Sequence, residues 1–152
     1  MRTGVRLGVD VGKVRIGLAA SDPSGYLASP VETIQRGKTA DTAVQRILSI
    51  ARERESLEIV VGLPLSLSGA ETASTADARV FAESLAEAEF PVRLVDERLS
   101  TVSAQGALHG AGRNTRNSRS VVDQVAAVII LQHALDSERA AENPPGVLVE
   151  PT

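Results

Sequence analysis

The sequence predicts a mixed α/β fold: a five-stranded sheet, three strands in an antiparallel meander and two parallel, with helices on both faces. Three observations carry this. Residues 5–34 hold three apolar-alternating runs joined by short turns. After residue 40 the apolar period changes to that of helices, alternating with short apolar strands. A meander followed by such crossovers closes into one mixed sheet covered on both sides.

The elements follow in order. In residues 5–11, Leu7, Val9 and Val11 point one way and Gly8 and Asp10 the other. A second strand covers 14–20. Asp22-Pro23-Ser24-Gly25 fits a type I turn, with Asp first, Pro second and Gly last. A third strand covers 26–34, where Pro30 marks an edge or a bulge. Ala40, Ala43, Val44, Ile47, Leu48 and Ala51 recur at helical spacing through 40–55. Residues 58–63 are apolar after Glu58, as a central buried strand requires. The loop 64–69 leads to a helix over about 75–89, with Ser74 and Asp77 spaced as a capping box and Ala76, Val80, Phe81 and Leu85 as its buried stripe. Residues 91–96 form the fifth strand, 100–110 a short helix and 111–117 a loop. The last helix runs from about 118 to 140. Residues 1–142 are expected to form one domain, and 143–152, opening on Asn143-Pro144-Pro145-Gly146, a flexible tail.

Composition narrows the function. The chain has 152 residues and no cysteine, which excludes disulfides and thiolate metal sites. It agrees with a reducing, cytoplasmic setting. No run reaches the roughly 18 apolar residues of a membrane span, and the N-terminus reads as a strand without a signal-peptide pattern. Net charge is −3, which disfavours bulk electrostatic binding of nucleic acid. The distribution says more. From Arg98 to Val122 there is no acid, but there are Arg98, Arg113, Arg116 and Arg119. With Tyr26, Phe81 and Phe90 the only aromatics, a base-stacking platform is not expected.

Three carboxylates are out of place. Asp10 interrupts an apolar strand, Glu97 ends another, and Asp123 opens the most apolar helix. Burying even neutral polar groups without partners costs about 2–7 kcal/mol. Three acids near one core need an offsetting charge, and oxygen ligands suit Mg²⁺ or Mn²⁺. No basic residue is expected among them. Each acid has a plainer reading. Asp10 could shape the turn at Gly12, Glu97 could be a surface acid beside Arg98, and Asp123 could favour a helix dipole. Spacing alone leaves Asp96 and Glu97 both open, since one residue of register reverses the face. Lys13 and Arg15 flank the first turn, either to contact phosphate or as a solvated hairpin tip. Gly12, Gly17, Gly62 and Gly69 are turn or close-packing residues. His109 and His133 lack metal-ligand spacing, and Ser21, Ser100 and Ser103 lack a triad.

Ribonuclease-H-like domains have this element order. Four segments sharpen the likeness: LGVDVGKVRIGLAASD (7–22), IVVGLPLSLSG (59–69), VDERLST (95–101) and VVDQVAAVIILQ (121–132). In this order the chain resembles the YqgF family, described as pre-16S rRNA nucleases or Holliday-junction-resolvase-like proteins. The resemblance implies a ribonuclease-H-like fold and a divalent-metal nuclease whose acids fall on Asp10, Glu97 and Asp123. It implies hydrolysis at the 5′ end of pre-16S rRNA, with branched DNA as the second substrate. In relatives the loop after the fourth strand often carries Asn and Asp; here it has Ser66 and Ser68. Arg98, Arg113, Arg116 and Arg119, with Lys13 and Arg15, are the candidate phosphate contacts. Two other classes stay in view. An actin- or Hsp70-like ATP-binding domain shares the strand–Asp–x–Gly start but needs two domains. A non-catalytic interaction domain would have no need of the three acids.

Overall fold

The computed structural model describes residues 1–37, 40–97 and 115–150, with the side chains of 40 and 115–121 excepted. The element order is β1 (Arg6–Val11), β2 (Arg15–Ser21), β3 (Ala28–Gln35), α1 (Ala40–Glu53), β4 (Glu58–Leu63), α2 (Ala73–Ala86), β5 (Val92–Asp96), α3 (Thr115–Ala141) and β6 (Val147–Leu148). The sheet order is β3-β2-β1-β4-β5-β6. β1, β2 and β3 pair antiparallel, and β1, β4 and β5 run parallel.

Six strands replace the expected five. Val147 and Leu148, placed by the sequence in a flexible tail, pair antiparallel with Leu94 and Arg93. Val149 N–H then donates to the Val92 carbonyl at 2.8 Å. Gly146, at φ +63°, makes the turn that returns the chain to the sheet edge. Pro30 meets both expectations: β3 is an edge strand, and its register with β2 shifts between Leu18 and Ala19.

The alternation in the strands sorts two cores. Leu7, Val9, Ile16, Leu18, Ile59, Val61, Val92 and Leu94 face α1 and α2. Ala19, Ala28 and Val60 face Ala127, Ile130, Leu131, Ala134 and Leu135 of α3. α2 starts earlier than expected. Its cap is Thr72, whose hydroxyl accepts from Thr75 N–H while Thr75 Oγ1 accepts from Thr72 N–H. Thr75 also donates to the Pro64 carbonyl, and this anchor turns the helix so that Ala78, Phe81, Ala82 and Leu85 are buried. Ala76 and Val80, expected inside, are exposed. Asp77, freed from capping, takes a bidentate pair with Arg36 at 2.6 and 3.1 Å. Arg36 also donates to the Gly12 carbonyl at 2.9 Å and so ties the β1–β2 turn to α2. The expected 100–110 helix lies outside the described residues. The expected 111–117 loop is already helical from Thr115.

α3 is registered on the sheet at both ends. At the far end, Glu138 and Glu58, both nearly fully buried, are held by Arg2, Arg6 and Arg93. Gln132 accepts from Ala28 N–H at 2.9 Å and donates to the Tyr26 carbonyl at 2.9 Å. Such anchors fix the helix along its axis, and with it the side chains it presents at the other end. Among the described residues no helix is long and apolar enough to cross a membrane.

Candidate active site

Asp10, Glu97 and Asp123 come from three elements and lie at one end of the sheet, on the face covered by α3. Strand alternation puts Gly8 and Asp10 of β1, Gly17 and Ala19 of β2, and Val60 and Gly62 of β4 on that face. Val95, two residues before Glu97, packs there too.

Glycines make the room. Asp10 pairs across the ladder with Gly17. A Cβ on Gly17 would collide with the Asp123 carbonyl, so α3 rests directly on the strand there. On the other side, Val9 pairs with Val61, which brings Gly62 of β4 alongside Asp10. A Cβ on Gly62 would collide with the Glu97 carboxylate, which lies over this residue. Asp10 therefore sits between two bare positions, one covered by the Asp123 backbone and one by the Glu97 carboxylate. A third contact continues the seat: a Cβ on Gly8 would come within 2.7 Å of the Leu131 Cβ. The sequence had classed Gly17 and Gly62 with turn or packing residues. Packing is what the structure shows, and the clearance they give the two flanking acids depends on neighbours across the sheet.

The electrostatics follow from this crowding. Burial, with Asp123 nearby, pushes the Asp10 carboxyl up to about 6. Burial, then Asp10 and Asp96, pushes Glu97 up to about 8. Glu97 is 7% exposed, while Asp96 is exposed. The register ambiguity is thereby resolved in geometry: Glu97 turns inward and Asp96 outward. Asp123 is not at the helix start. Eight residues of α3 precede it, beyond the reach of the dipole's first-turn effect.

One expectation fails. The site does contain a basic group: Arg15 Nε donates to Asp123 Oδ2 at 2.8 Å. Arg15 and Gly17 share a face of β2, and that register brings the guanidinium to α3. The side chains of Asp10 and Glu97 have no hydrogen-bonded or oppositely charged partner among the described residues. Nor are any three acidic or histidine side chains among them already gathered as a metal cage. The donor set still suits a hard divalent cation: carboxylate oxygens, with the Asp10 and Glu97 carboxyls raised by burial and by neighbouring acids, a cost that such a charge would offset.

The other candidates scatter. Lys13 is exposed at the tip of the β1–β2 hairpin. Arg116 and Arg119 belong to the first turns of α3, two turns and one turn before Asp123. Arg98 and Arg113 lie outside the described residues. Ser66 and Ser68 bond each other at 2.9 Å, and Ser66 accepts from Ala70 N–H at 3.0 Å. These serines close their own turn.

A family model described as "RuvX: Holliday junction resolvase" matches residues 4–137. The chain belongs to the RuvX family. The YqgF resemblance read from its four segments is thus borne out. A protein of Clavibacter michiganensis subsp. michiganensis, named "Putative pre-16S rRNA nuclease", is 65% identical over 150 residues, covering 98% of this chain and 93% of its own. A protein of the same name from Leifsonia xyli subsp. xyli is 61% identical over 153 residues, covering 99% and 97%. Among solved structures, the chain resembles Thermus thermophilus RuvC in complex with a Holliday junction substrate. The TM-score is 0.53 at 18% identity, over 93% of this chain and 99% of that one. This likeness speaks for the fold.

The glycine seat makes a direct prediction. Gly17→Ala forces α3 off the sheet, and overpacking of this kind costs about 1–3 kcal/mol or more. Urea denaturation should show a loss at the upper end of that range, because the obstacle is backbone. An unchanged midpoint would mean that α3 is not seated on β2.

Proposed function

We propose that this chain is a metal-dependent nuclease that hydrolyses phosphodiester bonds, acting in the cytoplasm on the 5′ end of pre-16S rRNA during ribosome biogenesis. The observation that carries the chemistry is the row Glu97, Asp10, Asp123, with Asp10 flanked by Gly62 and Gly17. Family membership and the names of close relatives support the substrate. The ribonuclease-H-like reading of the sheet rests on strand order and the RuvC likeness.

In this reading the carboxylates of Asp10, Glu97 and Asp123 hold Mg²⁺ or Mn²⁺. Such an ion, when bound, supplies charge stabilisation at the phosphoryl oxygens and an acidified water. The chain's own residues do the rest. Asp10 and Glu97 must be ionised to serve as ligands, although burial raises both. Lys13, Arg15, Arg98, Arg113, Arg116 and Arg119 contact phosphates and set the position of the strand. A second reading, resolution of four-way DNA junctions, is favoured by the family description and the RuvC fold.

The test uses one preparation and two labelled substrates, a pre-16S rRNA 5′ fragment and a four-way junction, with Mg²⁺, with Mn²⁺ and with chelator. Cleavage of the RNA that needs metal supports the first reading. Cleavage of the junction alone supports the second, and cleavage that survives chelator removes both.

The basic stretch gives a further prediction. Arg116 and Arg119 belong to the helix that carries Asp123, and Arg113 precedes them. Each phosphate contact contributes about 0.9 to the log–log salt slope on duplex DNA and about 0.7 on a single strand. Replacing Arg113, Arg116 and Arg119 with Ala should weaken binding for every sequence and flatten the slope by roughly 2. Cleavage at saturating substrate should change much less. Unchanged affinity and slope in a salt series would move the binding surface to Lys13 and Arg15.

A further inference from the structure

We propose that Arg15 is a stand-in cation, which neutralises Asp123 until a metal ion and a substrate phosphate arrive and then passes to the phosphate. This deepens the metal reading of the site and rests on it. Of the three acids, Asp123 alone has a cationic partner among the described residues, Arg15 at 2.8 Å. That pairing gives Asp123 a counter-charge without metal. It also means that Asp123 is not yet available as a ligand.

The backbones on both sides are fixed. The α3 chain at Asp123 is seated on Gly17. Arg15 is held by its pairing with Gln35 and by its carbonyl, which accepts from Gly12 N–H at 3.0 Å. Any exchange of partners must therefore occur in the side chains.

Arg15 is suited to exchange. Among the described residues its side chain makes one hydrogen bond, through Nε, and a guanidinium has five N–H donors. Arg36, on the other side of the same hairpin, is a locked arginine by contrast. It pairs with Asp77 through two nitrogens, donates to the Gly12 carbonyl and lies over the Phe81 ring. The Arg15 side chain is 28% exposed and that of Asp123 17%. Arg15 can reach a phosphate in solvent without burying an unpaired charge, and the planar fork matches phosphate oxygens. Metal and substrate are then linked: each frees the partner that the other needs, so each should raise the affinity for the other.

The experiment measures Mn²⁺ binding to the full chain without nucleic acid, by the electron paramagnetic resonance signal of free Mn²⁺. Arg15→Gln should bind Mn²⁺ about five- to tenfold more tightly than the parent, the worth of one partly exposed charged hydrogen bond. Lys13→Gln is the control for the general field: it removes one positive charge two residues away and frees no carboxylate. Its effect should stay below about twofold, as for an exposed charge. Arg15→Gln should also bind a short single-stranded RNA more weakly in the presence of Mn²⁺. Arg15→Met, which keeps the apolar stem, repeats the measurement if the glutamine variant does not fold. Unchanged or weaker Mn²⁺ binding on loss of Arg15 overturns the proposal, as does equal tightening by Lys13→Gln. A parent chain that binds no Mn²⁺ removes the metal reading itself, and this inference with it.

Discussion

Asp10→Asn is expected to abolish cleavage and, in the absence of metal, to make the protein more stable at pH 8. Both effects come from one position. Asp10 lies between Glu97 and Asp123, so its ionised carboxylate is the one that repels both. Its carboxyl is raised to about 6 by burial and Asp123, and that of Glu97 to about 8, partly by Asp10. The sign of the pH dependence follows. A carboxyl raised in the folded state keeps its proton where the unfolded chain has lost it, so stability falls as pH rises. The window runs from the ordinary carboxylate range to about 8, and the loss is complete above it. Holding the Asp10 carboxyl at about 6, above its ordinary range, corresponds to about 3 kcal/mol. Because the repulsion is shared with Glu97, the gain in Asp10→Asn should be about 1–3 kcal/mol at pH 8. It should shrink towards zero below pH 4. Adding Mn²⁺ should stabilise the parent and do so much less in the variant, since binding to the folded state alone stabilises by mass action. Urea denaturation at several pH values, with and without Mn²⁺, checks all of this alongside the cleavage assay. An Asp10→Asn protein that cleaves like the parent ends the assignment. One that is inactive but less stable would mean that Asp10 holds the fold together.

Much of this arrangement was legible because periodicity is local. β1, β2, β4, β5 and α1 lie within two residues of their expected bounds, since each buries a face whose spacing can be counted. The three acids stood out for the same reason, each in an apolar setting. The failures share a different cause: they depend on which residues meet across the sheet. The ion pair of Arg15 with Asp123 joins positions 108 apart in the chain and requires both the β1–β2 register and the seat of α3. The two glycines beside Asp10 look like any strand glycine until β2 and β4 are placed beside β1. β6 is too short to show a period, and Pro144-Pro145 before it reads as an ending. The cap of α2 went to Thr72 because Thr75 finds the Pro64 carbonyl, a contact that the local spacing of Ser74 and Asp77 does not reveal.

The last prediction separates two neighbours that spacing could not. Glu97→Gln should abolish turnover, whereas Asp96→Asn should retain most of it at matched folded fraction. Glu97 N–H donates to the Leu63 carbonyl at 3.3 Å, which continues the β4–β5 ladder one residue past Asp96. The side chain of Glu97 therefore falls on the α3 face, over Gly62 and beside Asp10. Asp96 falls on the opposite face and is exposed. Each variant replaces a carboxyl by its amide one residue apart, and comparison at matched folded fraction removes their difference in stability. Only a direct ligand role distinguishes them. Metal-free Glu97→Gln should gain stability at pH 8, because it removes the more strongly raised of the two carboxyls, while Asp96→Asn should gain much less. Asp10 titrates at about 6, where Glu97 still holds its proton, so the Asp10 carboxyl should titrate in Glu97→Gln as it does in the parent, which carbon-detected magnetic resonance of the aspartate carboxyls can follow. Loss of turnover in Asp96→Asn with Glu97→Gln still active would shift the site by one residue and place the working acid on the other face of β5.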